Sequence, residues 1–207
     1  MTNISAIIRC TRIGNAGLIA AGLALPSAAW AHSGNGSHLH FIDGFLHPLG
    51  GLDHLLAMIA VGCFAAFLGG SALWALPACF LTLMTAGAAF GLAGGSLPFA
   101  EPMIALSVAA FGVALIGYRR WAVPAALALV GFFALFHGYA HGAEIPMRDV
   151  AVPYGFGFLT ATAVLHGAGI AIVDAGERFR LPGGMQAATL SGLAFVCAGL
   201  GMTIAAW

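Results

Sequence analysis

Six apolar runs divide most of this chain, at residues 48–68, 72–94, 102–118, 121–142, 153–174 and 185–206. Each is close to the roughly 20 residues that carry a helix across a bilayer. In hydrocarbon every peptide N–H and C=O must be satisfied internally, so runs of this length fold as helices. Gly69-Gly70 and Gly94-Gly95 punctuate the first two, and Arg119-Arg120 closes the third. The connections are short and leave no room for a soluble domain. The expected fold is therefore all-α, a polytopic membrane protein built as one six-helix transmembrane bundle. Only 7% of the residues are charged, whereas a soluble domain carries about a quarter. None is a lysine, and nothing could neutralise phosphates, which excludes a nucleic-acid partner. The partner composition does imply is the lipid bilayer, and the 30 glycines suit helices that approach closely within it.

The first 31 residues read as a signal peptide. Arg9 and Arg12 supply a positive start, Ala16 to Leu25 an apolar stretch too short to span, and Ala29-Trp30-Ala31 a cleavage site. Cleavage leaves a short His-rich segment, residues 32–47, ahead of the transmembrane domain at 48–207. An exported N-terminus with six spans puts Arg119, Arg120, Arg178 and Arg180 inside and only Arg148 outside, as the positive-inside rule asks. The expected location is the bacterial inner membrane, multi-pass, with the mature N-terminus periplasmic.

Ionisable groups are expensive in a bilayer and mark function by default. They concentrate here in two stretches, His47-Pro48-Leu49-Gly50-Gly51-Leu52-Asp53-His54 and Phe136-His137-Gly138-Tyr139-Ala140-His141-Gly142-Ala143-Glu144. On a helix His137, His141 and Glu144 project within about 60° of one another. A histidine pair at this spacing can bind one metal ion, with Glu144 adding an oxygen one turn on. His47 and His54 share a face only if the helix runs through, and Pro48 either opens or kinks it. Asp53 points away from His54 on a regular helix, to meet another partner or to orient a histidine through its N–H. Asp43 and His40 could extend the same face. His166 stands alone, about thirteen residues into the fifth run and so roughly 18 Å deep. Ligands at the outer mouth and one histidine deeper suggest a path inward for a divalent metal ion such as nickel, cobalt or zinc. The four cysteines show no ligand spacing. No nucleotide-binding or nucleophile-elbow motif appears, and nothing in the chain couples to ATP.

These motifs resemble those of the HupE/UreJ family of hydrogenase and urease accessory membrane proteins. The family pattern HPxxGxDH is met by His47, Pro48, Gly51, Asp53 and His54. FHGxAHGxE is met by Phe136, His137, Gly138, Ala140, His141, Gly142 and Glu144. The resemblance implies a nickel permease, not an enzyme, that supplies hydrogenase or urease maturation, with cobalt carried by related members. It implies nickel-handling maturation proteins as partners and no prosthetic group. By carry-over, His47, Asp53, His54, His137, His141 and Glu144 are the transport residues. Read without the family, the residues leave the ion open.

Two other chemistries use the same groups. An intramembrane hydrolase could hold zinc with one position open for water and use Glu144 or Asp53 as general base. A haem or quinone protein could pair His54 or His141 with His166.

Overall fold

A computed structural model describes residues 37–145, 150–179 and 184–205, which are helical apart from short turns. The helices are α1 Ser37–Gly50, α2 Leu52–Leu68, α3 Ala72–Leu92, α4 Ala100–Ile116, α5 Val123–Glu144, α6 Ala151–Arg178 and α7 Gly184–Ala205. A 3-10 turn, Tyr118–Arg120, joins α4 to α5. Pro102, Pro124 and Pro153 lie in the first turns of α4, α5 and α6. There a missing N–H costs no intrahelical bond. Gly69 and Gly70, both at positive φ, turn the chain between α2 and α3.

The first apolar run departs most from its sequence reading. Instead of one helix opening near residue 48, α1 and α2 meet at a bend of 82°. Pro48 lies inside α1 near its end. Gly51 then adopts an extended backbone, φ −96° and ψ 118°, as the residue ahead of α2. The helix thus breaks between the two motif histidines rather than running through them. The expected signal peptide, and residues 32–36 of the expected His-rich segment, lie outside the described residues. From Ser37 onward that segment is α1.

Four helices, α3, α5, α6 and α7, are long and apolar enough to cross a bilayer, and the bent pair α1–α2 brings the number to five. The remaining helix, α4, is apolar but has 17 residues. Its length of about 25 Å falls short of the roughly 30 Å hydrocarbon core. Trp74, Phe132, Val164, Ile172, Leu190 and Ile204 are exposed, an apolar exterior that suits lipid rather than water.

Helix α2 touches every other helix. Ala60, Val61, Gly62, Cys63, Phe64 and Ala65 are buried in unbroken succession, so every side of it is covered, as expected of a helix that is apolar all round. Around it α3 pairs with α5, α4 with α7, and α6 with both α1 and α2. At one end of α2, Phe64 meets Trp121 edge to face and Phe67 packs on Tyr118, with ring centroids 5.8 and 5.1 Å apart. That end therefore lies beside Arg119 and Arg120. His54, in the first turn of α2, lies at the opposite end.

The α3–α5 pair depends on glycine. A Cβ on Gly138 would fall on the Met84 carbonyl, and one on Gly142 on the Ala88 carbonyl. The small residues of the second motif thus admit a neighbouring helix, and by doing so set the height and rotation of His137 and His141. Gly167, beside His166, has no atom near where a Cβ would stand. Gly138→Ala is accordingly expected to lower the thermal midpoint in detergent by about 3–10 °C, the effect of an overpacked interface. Gly167→Ala should leave it unchanged or slightly raised. Size-exclusion profiles after graded heating would separate the two, and equal behaviour would overturn the close-packing account.

Candidate metal centre

Three chain segments converge at the end of the bundle opposite Arg119 and Arg120. The last turn of α1 brings His47, the first turn of α2 brings Asp53 and His54, and the C-terminal turns of α5 bring His137, His141 and Glu144. On a straight helix His47 and His54 would be separated by about 10 Å along the axis. With the bend their ring centroids are 6.4 Å apart. The break at Gly51, not a continuous helix, is what puts both histidines in one cluster.

The rings form a connected set. Centroids lie 4.7 Å apart for His47 and His141, 4.5 Å for His54 and His141, and 5.1 Å for His54 and His137. His47, His141 and Glu144 each offer a ligand atom within 4.8 Å of the others. Exposure falls inward: Glu144 is exposed and His47 half-buried, whereas His54 is 8%, His141 6% and His137 0% exposed. An ion arriving at this end meets a carboxylate and an accessible imidazole before the buried ones.

Hydrogen bonds orient the buried rings. Asp53 Oδ1 accepts from His54 Nδ1 at 2.7 Å and from the His54 backbone N–H at 2.7 Å. The carboxylate therefore serves its immediate neighbour and turns His54 Nε2 toward the cluster. His54 Nε2 lies 2.6 Å from His141 Nε2. With the His54 proton held at Nδ1, His141 Nε2–H is the donor of that bond. His137 Nδ1–H donates to the Phe133 carbonyl at 3.0 Å, which leaves its Nε2 bare and buried. One ring nitrogen anchored on a carboxylate or carbonyl, with the other presented, is the usual arrangement of metal-binding histidines.

The structure thus gathers His47, His54, His137, His141 and Glu144, with Asp53 as the support of His54. It does not gather His166, which packs on Phe80 at 5.2 Å between centroids rather than on His54 or His141. Exposed Asp43 stays outside the cluster, as does His40. Two groups escaped the sequence reading. The Tyr154 ring lies 5.9 Å from His47 and the Phe158 ring 4.2 Å from His141, forming an aromatic wall from α6. The four-residue step from Tyr154 through Phe158 to His166 is visible in the sequence, but only the packing of α6 shows which face it lies on.

The chain is 45% identical over 157 residues to Protein HupE of Rhizobium leguminosarum bv. viciae, an alignment that covers 74% of this chain and 80% of that one. No solved structure matches it. The model of the HupE / UreJ protein family matches residues 19–203. With both of its histidine motifs folded into one cluster, the chain belongs to the HupE / UreJ family.

Proposed function

We propose that this protein is a secondary, non-ATP permease that takes up nickel, or cobalt, from the periplasm for hydrogenase or urease maturation. The observation that carries the reading is the convergence of His47, His54, His137, His141 and Glu144 at one end of an apolar bundle. Imidazole and carboxylate together suit borderline divalent ions. The set is graded from an exposed carboxylate to a fully buried histidine, which favours passage over storage at a single closed site. Asp53 is held by His54 and orients it, so in this reading it is a support rather than a ligand or a general base.

In this reading α4 is the sixth crossing. A helix of 17 residues spans where the bilayer thins locally. Six crossings after an exported N-terminus put the histidine cluster outside and Arg119, Arg120 and Arg178 in the cytoplasm, as the positive-inside rule requires. The membrane is then the bacterial inner membrane, and nickel-handling maturation proteins receive the ion. The role is transport rather than catalysis.

Radiolabelled nickel uptake into cells expressing the protein tests this directly, with cobalt and zinc as competitors. Saturable uptake is expected, and His141→Ala should reduce it to background while membrane insertion is retained. Uptake by the variant equal to that of the wild type would overturn the site. Zinc held stoichiometrically through chelator washes, with no uptake, would favour a hydrolase.

The pH dependence follows from the ligands. Imidazole binds metal only when neutral, and its ordinary pKa is about 6.5. Uptake is therefore expected to be full near neutral pH and to fall as external pH is lowered into the acid range, where protons compete with the ion for the imidazole nitrogens. An uptake rate that stays constant down to about pH 4 would count against histidine in the uptake site.

A further inference from the structure

Beneath the outer cluster, α6 carries side chains that the two motifs leave unused. Tyr154, Phe158, Thr162 and His166 recur every four residues, so they descend one face of the helix in steps of about 6 Å. The first two wall the outer cluster. The last two lie deeper, with Thr162 0% and His166 1% exposed.

Among the described residues, neither ring nitrogen of His166 nor the hydroxyl of Thr162 has a hydrogen-bond partner. The threonine departs from the other threonines among the described residues. Thr82, Thr85, Thr160, Thr189 and Thr203 each donate to the carbonyl four residues back. Thr162, within the same kind of helix, does not, so its hydroxyl is turned away from its own backbone. Leaving a buried polar group unpaired is costly, because its water partners are lost and nothing replaces them. Two such groups one turn apart are hard to explain by packing alone. Across from them the His137 Nε2 is also bare. Phe80 of α3, itself 0% exposed, packs against both histidines, its ring 5.5 Å from His137 and 5.2 Å from His166.

We propose that Thr162 and His166 form an inner cation station, loaded from His137 and separated from the outer cluster by the Phe80 ring. The inference rests on the permease reading above. The ligand it takes is a divalent transition-metal ion stripped of most of its water. His166 supplies an imidazole nitrogen, Thr162 a hydroxyl oxygen, and the Phe80 face excludes water while tolerating a cation. The physical need is clear. An ion surrounded by several imidazoles at the mouth is held too firmly to leave unless a second, weaker site lies within reach. A single imidazole with one hydroxyl is such a site.

The test compares wild type, His166→Ala and Thr162→Val in two measurements: nickel uptake by cells, and nickel binding to the purified full-length protein by equilibrium dialysis. Binding at the outer cluster should persist in both variants within about twofold, whereas uptake should fall by about tenfold or more. Thr162→Val keeps the side-chain shape and so preserves the fold if His166→Ala does not. Wild-type uptake in both inserted variants would overturn the inner station and leave the outer cluster standing. Loss of binding together with uptake in inserted protein would overturn it as well, since both residues would then belong to the outer site. Absence of uptake in the wild type itself would bring down the permease reading, and the station with it.

Discussion

An unpaired peptide group costs several kcal/mol in hydrocarbon, and most of this architecture follows from that penalty. Each segment must satisfy its own backbone, so each becomes a helix. Once they are helices, apolar surface no longer drives them together, because lipid is as apolar as leucine. Close packing has to do so instead. Gly138 and Gly142 against Met84 and Ala88, and Gly62 against His166 and Gly169, bring backbones into direct contact. The histidines ride on these same interfaces. Their positions are set by how closely the helices approach, which the glycines control.

The same penalty explains where irregular backbone is tolerated. The break at Gly51 lies between two motif histidines, at the end of the bundle, beside Asp53 and His54. A bend there removes helical hydrogen bonds but brings two imidazoles onto neighbouring elements that face α5. The cost of the break and the convergence of the imidazoles occur at one position. Asp53, immediately after the bend, uses its carboxylate on the adjacent ring and backbone N–H, so a single side chain both caps the irregularity and orients His54.

Much of the site is legible in the amino-acid sequence. The i, i+4 spacing of His137 and His141 places them on one helix face, and both lie in the cluster with Glu144 beyond them. The distance of His166 into an apolar run sets it apart from the two motifs, and its side chain is 1% exposed. The role of Asp53 is half legible: an orienting carboxylate is among its readings, but a regular helix gives no sign that its partner is the adjacent His54. Gly138 and Gly142, within the second motif, imply room for a helix or an ion, and in α5 that room is taken by α3. Phe80, Tyr154 and Phe158 cannot be chosen from among 15 phenylalanines and 3 tyrosines, because nothing local distinguishes an aromatic ring that faces a histidine from one that faces lipid.

What the sequence determined by itself was the material and its periodicity: a helical membrane chain, and ligand groups confined to two short stretches and one deep position. These depend on composition and on spacing along one helix, which are local properties. What only the tertiary structure decided was which stretches meet. The bend at Gly51, the packing of α5 on α3 and the descent of α6 past Phe80 depend on contacts between segments far apart in the chain, each set by the shape of its partner. A histidine carries no record of the ring it will face until its helix has been placed.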